Sequence, residues 1–469
     1  MSVLRFGLNK PPINLVSPMA VIPIAAGSTG LPIDTLTLPA TTTNYDFSTS
    51  TSRFTTYLNI NASKLTSFTN LPESITTLIL VGCPAMTVLN IPSTVTYLYT
   101  PPNITSYTGL PSSVTYLNLE RSTKLTSLVG IPSTVTYLLT PPNITSLTGL
   151  PSSLTYLNLS ASTKLTSLVG IPSTVTDLYT PPNITSLTGL PSSLTYLILS
   201  ASTKLTSLVG IPSTVTYLYT PPNITSLTGL TGSSVTYLNL EASTKLTTLD
   251  GIPSTVTKLR TPPNITSLTG LPSSLTVLNL SASTKLTSLD LSGNTTFTSV
   301  PSLPVTCTTI NLTGCTGLPK NLVISGAGLT EINGLPAGTT GLDLTGCTAL
   351  VNLPTLPTTL QSLQLLGTKV TSLDLRGCTA LTTLPTLPVG LVSLELFGTK
   401  ITSLNLTGNT TLRSLPSLPD TCTSLNLTGC TGIDFVNIDP TIVKTAVFTR
   451  SGIPKPKLLL GPGDNNYTF

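Results

Sequence analysis

The strongest constraint on this chain is that it repeats itself. The pentapeptide PPNIT places its Asn at 103, 143, 183, 223 and 264, and STKLT places its Lys at 124, 164, 204, 245 and 285. Each series advances by 40 residues, with a single step of 41 across residues 230–234, where LTGSS replaces the usual LPSS. The extra residue belongs to a turn. The 40-mer divides again into a longer coil, LPSSLTYLNLSASTKLTSLVG from Leu150, and a shorter one, IPSTVTYLYTPPNITSLTG from Ile211. One repeat is therefore two unequal coils. A coil holding a few leucines cannot bury them alone, whereas stacked coils share a continuous core.

Both coils share the frame [LI]P-x-x-[LV]-x-x-L-x-[LT], then a small or amide residue, then [LI]-T-S-L. Over about 55–430 this resembles the leucine-rich repeat family, whose pattern is L-x-x-L-x-L-x-x-[NC]-x-L. The stretch LPTLPVGLVSLEL at 384–396 is similar to the family's short bacterial-type repeats. The resemblance implies a repeat β-solenoid: an arc with short parallel strands on the concave face and a mostly irregular convex side. Pro132, Pro172, Pro212 and Pro253 fall where each coil returns to its strand, a place suited to an extended residue that donates no hydrogen bond. With 41 Pro and 33 Gly at fixed phases, helices longer than a few residues are not expected. Coils rising about 4.8 Å each predict roughly 18 to 20 turns over about 90 Å.

The spacing divides the chain into a capping or anchoring segment at 1–54, double-coil repeats at 55–287, a second solenoid segment at 288–430, and a C-terminal cap at 431–469. In the second segment Leu363, Leu394 and Leu425 mark a 31-residue repeat, which arises because about half a coil is missing relative to the 40-mer. Either one wide coil or one and a half narrow ones satisfies that spacing. The ends carry apolar residues fit to cover open coils: Phe6, Ile13, Val16, Val21, Ile22, Ile24, Tyr45 and Phe47 at one end, IDFVNI and TAVF at the other.

Composition removes whole classes of function. The chain has no His and no Trp, which excludes imidazole-dependent nucleophiles and His-ligated zinc. Carboxylates are scattered, no glycine-rich phosphate loop follows a strand, and an enzyme is not expected. No cofactor or metal is expected either. A net charge of +5 over 469 residues, without a basic stripe, argues against nucleic acid. The apolar stretch at 13–26 is broken by Pro18 and Pro23 and is too short to span a bilayer, so no membrane insertion is expected. The same prolines, together with Met1, argue against a cleaved secretory leader.

Seven Cys invite a disulfide or metal reading. Cys83, Cys315, Cys347, Cys378 and Cys430 occupy the slot after the strand where the family alternates Asn and Cys, and Asn294 and Asn409 fill it in sister coils. Cys307 and Cys422 stand where Leu391 stands in its own coil, so all seven are expected to be unpaired and mostly buried. The five N-I-T sequons headed by Asn103, Asn143, Asn183, Asn223 and Asn264 read as structural asparagines, turned inward after the strand and hidden from glycosylation.

The alternation of a strand written x-L-x-L-x sends the leucines inward and their flanks outward. Tyr97, Tyr116, Tyr137, Tyr156, Tyr196, Tyr217 and Tyr237 precede the first inward Leu, and Tyr99, Tyr179 and Tyr219 follow it. Ten of 14 Tyr thus line one surface, in a band of roughly 40 Å, and are the candidate partner-binding residues. The competing reading is self-stacking of duplicated rings, worth about 0.2–1 kcal/mol per pair. Beyond 288 the same phase holds Asp343, Gln364, Asp374, Glu395, Asn405 and Asn426, a polar, slightly acidic face. The lysine row is read as solubilising, since edge lysines keep an uncharged rod from sheet-to-sheet association.

The expected function is a non-enzymatic structural or binding protein of a virion or cell-surface assembly, contacting a protein or glycan partner through its concave face. Low charge, abundant Thr and near-identical repeats support that surface location by analogy. Alternatives are a Thr-rich rod binding ice or a crystal face, suggested by Thr115, Thr155, Thr195 and Thr276 at one phase, and an intracellular scaffold or effector, which reduced thiols permit.

Overall fold

A computed structural model describes residues 35–49, 56–384, 386–433, 436–437, 443–449, 458–459 and 466–468, and shows a parallel β-solenoid of about 19 turns. One sheet of 13 strands runs from Thr35–Thr37 to Val277–Asn279. Each strand is a triplet such as Tyr116–Asn118 or Tyr137–Leu139, paired in parallel and in register so that Leu117 faces Leu138 and Leu138 faces Leu157. The central leucines are fully buried. The two-residue alternation of the sequence has thus produced a leucine column inside and a second pair of columns outside.

The turns repeat as faithfully as the strands. Each return proline accepts a hydrogen bond from the residue three positions on, as Pro132 O does from Val135 N at 3.1 Å. The backbone then enters the strand, where the Thr96 and Tyr97 amides both donate to Thr76 O of the preceding coil. Coils approach so closely at the opposite turn that Gly149, at φ +97°, leaves no room for a side chain: a Cβ would lie 2.7 Å from Val129 N. The additional residue at 230–234 is absorbed in one 3₁₀ turn, Thr228–Leu230, and the flanking strands keep the register Tyr217 with Tyr237.

The convex side is irregular only in part. A second set of strands lies half a coil away from the first: Asn44–Asp46 pairs with Ser67–Thr69 near the N-terminal end, and from Ser267–Leu268 the set resumes through Ser288–Asp290, Thr309–Asn311 and Glu331–Gly334. The convex side is thus mostly irregular, as expected, over the double-coil repeats, and carries strands chiefly beyond them. The second set recurs because from Ser288 on the second half-coil reads SLDL, TINL or SLEL, an extended apolar-x-apolar triplet, where the double-coil repeats have SLVG or SLTG and turn at the glycine. It also decides the 31-residue spacing: Leu363 pairs back to Leu342, Leu394 to Leu373 and Leu425 to Leu404, in each case exactly one narrow coil earlier. The longer repeat is one and a half coils, so successive motifs land on alternate sides. Asp343, Gln364, Asn405 and Asn426 consequently continue the tyrosine side, while Asp374 and Glu395 pair with each other on the other side. The single acidic face expected beyond 288 is two faces. Pairing runs through Ser288 without a break, from Ser267 to Thr309.

At the N-terminal end Thr35–Thr37 pairs with Tyr57–Asn61, and Phe47 is buried edge-on to Phe68 at 6.1 Å. At the other end Thr445–Val447 and then Asn466–Thr468 extend the sheet beyond Ser424–Asn426. Phe6, Ile13, Val16, Val21, Ile22, Ile24 and the stretch at 13–26 lie outside the described residues.

One interior slot differs from the sequence expectation. Three residues after the second inward position, Cys83, Ser162, Asn294 and Asn409 all close the same turn, their amides donating to Leu80, Leu159, Leu291 and Leu406 carbonyls. Their side chains turn inward and donate to the preceding coil: Cys83 Sγ to Ile60 O at 3.4 Å, Ser162 Oγ to Pro141 O at 2.8 Å, Asn294 Nδ2 to Leu275 O at 3.3 Å. In the double-coil repeats this role belongs to the Ser of STKLT: Ser122, Ser162, Ser202, Ser243 and Ser283 are fully buried and lie 2.6–2.7 Å from the hydroxyls of Thr100, Thr140, Thr180, Thr220 and Thr261. The sequon asparagines do not turn inward. They sit half-buried at the surface, each amide donating to a backbone carbonyl one coil back, as Asn143 Nδ2 does to Thr123 O at 2.7 Å. The displacement arises because the PPNIT turn is two residues shorter: buried Ile144 follows buried Thr140 by four positions, whereas Leu165 follows Leu159 by six with Ser162 between them, so Ile144, and not Asn143, reaches the core.

Candidate binding surface

The tyrosines occupy two outward columns of the 13-stranded sheet. The first reads Tyr97, Tyr116, Tyr137, Tyr156, Asp177, Tyr196, Tyr217, Tyr237 in successive strands, and the second includes Tyr99, Tyr179 and Tyr219. All ten candidates lie on one side, as the alternation requires. Their rings form an unbroken ladder. Tyr116 and Tyr137 stack at 4.6 Å, Tyr137 and Tyr156 at 3.6 Å with planes 7° apart, and Tyr217 and Tyr237 at 5.5 Å. Where the first column lacks a ring, Tyr179 leans across from the second, 5.5 Å from Tyr156 and 6.4 Å from Tyr196.

The rings therefore cover one another. Tyr156 is only 8% exposed, most others are half-buried, and Tyr97 and Tyr217 alone keep more than a third of their surface, at 48% and 38%. The surface offers ring edges and hydroxyls in place of the open band of ring faces that the sequence suggested. Strand spacing explains this, because side chains about 4.8 Å apart along a column stack before they can present their faces to solvent. Burial raises the phenol pKa values, to about 12 for Tyr179, Tyr219 and Tyr237 and further for Tyr116 and Tyr156.

Charges are sparse here. Glu120 is half-buried, and burial raises its carboxyl pKa. Glu241 accepts from Arg260 at 3.0 Å. Beside the tyrosines runs a single threonine column that includes Thr115, Thr155, Thr195 and Thr276, whose hydroxyls donate to carbonyls of the preceding coil at 3.0–3.4 Å. The lysines of STKLT are exposed.

The cysteines are free and buried, all seven of them. Cys315, Cys347 and Cys430 donate to carbonyls one coil earlier at 2.8–3.2 Å, and burial lifts every thiol, Cys83 to about 11. They behave as core residues. Among the described residues no group of His, Cys, Asp and Glu is arranged to hold a metal ion, and no helix is long and apolar enough to cross a membrane.

Coils of about 21 residues, inward leucines at L-x-x-L-x-L spacing, a parallel strand in each coil and an inward Cys, Ser or Asn slot define a leucine-rich-repeat solenoid, and this chain is one. No family model and no curated protein sequence matches it. Among solved structures it is similar to CroV588, a circular leucine-rich-repeat protein, at 16% identity over 81% of this chain and 80% of that one, with a TM-score of 0.40. YopM from Yersinia enterocolitica matches at 19% identity over 82% and 86% of the two chains, TM-score 0.28. TLR13, solved in a complex with ssRNA13, matches at 14% identity over 90% and 71%, TM-score 0.34.

Proposed function

We propose that this protein is a non-catalytic leucine-rich-repeat scaffold whose tyrosine side, from Tyr97 to Tyr237, contacts a protein or glycan partner in a virion or cell-surface assembly. The observation that carries the reading is the ladder itself: ten tyrosines held in register by one rigid sheet, with their edges and hydroxyls outward. Tyrosine in such a frame supplies apolar area and a hydrogen-bonding tip at little entropic cost, because stacking already fixes its rotamer. Tyr97 and Tyr217, the most exposed, are the expected anchors. The low charge of the whole chain supports a structural role in an assembly over a soluble signalling one.

A photo-crosslinking amino acid placed at Tyr97 or Tyr217 tests this, compared with one at Ser207 on the opposite side. Crosslinks to one partner from the tyrosine side, in purified particles or surface fractions, are the expected result. Crosslinks from Ser207 alone, or the partner's recovery only from cytosol, would overturn it.

A further inference from the structure

On the side away from the tyrosines, the double-coil repeat leaves a groove between its coils. The long coil presses closely on the short coil that follows it, which is why Gly149 has no room for a side chain. The next junction is looser: a Cβ on Gly170 would lie 3.6 Å from Leu147 Cβ, an ordinary contact. No strand pairs across either junction on this side. The looser one holds a groove of about 450 Å³, floored by Leu147 and Leu165 and rimmed by Ser146, Thr148, Ser167 and Val169. One repeat earlier the same groove measures about 360 Å³, where Tyr107 takes the place of Leu147 and its hydroxyl donates to Ser127 O at 2.7 Å. Val129 and Val169, 64% and 65% exposed, give the rims apolar area among the hydroxyls. Such a mixed lining suits a sugar ring, which has apolar faces and a polar edge.

A lysine stands at the head of each groove. Lys124 and Lys164 immediately precede the lining residues Leu125 and Leu165, and Lys204, Lys245 and Lys285 hold the same phase of their coils. All five are exposed, and among the described residues none of them is in an ion pair. Along the exposed positions of this side from Thr105 to Thr287, Asp250 is the one carboxylate. Glu120 and Glu241, four residues before Lys124 and Lys245, are half-buried, and Glu241 is held by Arg260; the equivalent positions before Lys164, Lys204 and Lys285 are Ser160, Ser200 and Ser281. Successive lysines lie about 10 Å apart, beyond the Debye length of about 8 Å at physiological salt, so they act as separate charges on a rigid rail. Duplex nucleic acid, with one charge per ~1.7 Å, is far too dense to match them. A polysaccharide with one acid group per disaccharide carries its charges at about the interval of the lysines. We propose that this row and its grooves bind a linear acidic polysaccharide laid along the solenoid, with its acid groups on the lysines and alternate sugar rings over the grooves. This surface is separate from the tyrosine side and does not depend on it.

The test uses the full chain and hyaluronan decasaccharide, which has one carboxylate per disaccharide, with its carboxyl-reduced neutral form for comparison. Titration calorimetry at fixed ionic strength should show saturable binding of the acidic form and roughly tenfold weaker binding of the neutral one. Lys164→Gln combined with Lys204→Gln, both at exposed positions, should weaken the acidic probe roughly tenfold and flatten its salt dependence. Leu147→Tyr combined with Leu187→Tyr leaves every lysine in place and installs the residue that the first repeat already accommodates as Tyr107; filling the grooves in this way should weaken binding several-fold. Tyr97→Ser with Tyr217→Ser should leave it unchanged. No saturable binding, equal affinity for the two forms, or undiminished binding by either paired variant with an unchanged circular dichroism spectrum would each overturn the proposal. So would tighter binding of an oligothymidylate of equal charge, or loss of binding in the tyrosine variant. If the lysine row fails while crosslinks at Tyr97 and Tyr217 still find a partner, the tyrosine contact surface stands and only the polysaccharide rail falls.

Discussion

Replacing Ser162 by Ala should open the solenoid locally, far out of proportion to the loss of one oxygen atom. Ser162 Oγ donates to Pro141 O at 2.8 Å and lies 2.6 Å from Thr140 Oγ1, in a fully buried slot. In the Ala variant Thr140 retains Asn158 O as an acceptor at 3.0 Å, but the buried Pro141 carbonyl loses its donor. A buried polar group left unsatisfied costs about 1–3 kcal/mol, which corresponds to a factor of about 5 to 150 in the local opening equilibrium. Hydrogen–deuterium exchange of amides in coils 141–180 reads that equilibrium by segment, which suits a stack whose coils need not unfold together. Thr163→Ala, one residue away and exposed, is the control and should stay within about 0.5 kcal/mol. Ser162→Cys should recover most of the loss, since Cys83 and Cys315 donate from the same slot. Replacing Ser122, Ser162, Ser202, Ser243 and Ser283 together should sum to about 5–15 kcal/mol, because alternate coils are about 10 Å apart and independent. Equal exchange in Ser162→Ala and Thr163→Ala would show that the hydroxyl ladder carries no stability, and would refute the reasoning.

Three further outcomes follow from the same geometry. Tyrosine ionisation should be delayed and destabilising: the phenols of Tyr179, Tyr219 and Tyr237 sit at about 12 when folded against about 10 unfolded, so their contribution is complete below pH 10 and lost as pH rises towards 12. Ultraviolet titration showing all tyrosines ionising near pH 10 with the circular dichroism intact would contradict this. Native protein at neutral pH should resist thiol reagents and release seven reactive thiols in denaturant, with no intrachain disulfide by mass spectrometry. Tyr156→Ala should cost on the order of 3 kcal/mol, as for a core aromatic, while Tyr97→Ala, at the end of the ladder, costs far less; equal denaturation midpoints for the two variants would mean that ring stacking adds nothing.

The leucine frame was legible in the chain alone. Alternation around Leu98, Leu117 and Leu138 determined which residues face inward, the 40-residue period determined that coils stack, and the placement of Cys in a repeat slot determined that the thiols are structural. Each of these is a local rule, readable because a strand or a tight turn has only a few ways to orient its side chains. What the tertiary structure decided involves neighbours one coil away. The 31-residue spacing was ambiguous until the pairing of Leu363 with Leu342 and of Leu394 with Leu373 showed that L-x-L triplets alternate between two sides. The inward donor could be taken for Asn143, when Ser162 fills that slot, because the PPNIT turn is two residues shorter than its sister and only the packed core shows which residue the shortening leaves outside. The tyrosine ladder was visible as a list of residues, but its mutual burial and the tilt of Tyr179 between Tyr156 and Tyr196 were not. Those depend on how rings about 4.8 Å apart share space, a property of adjacent strands that no single coil contains.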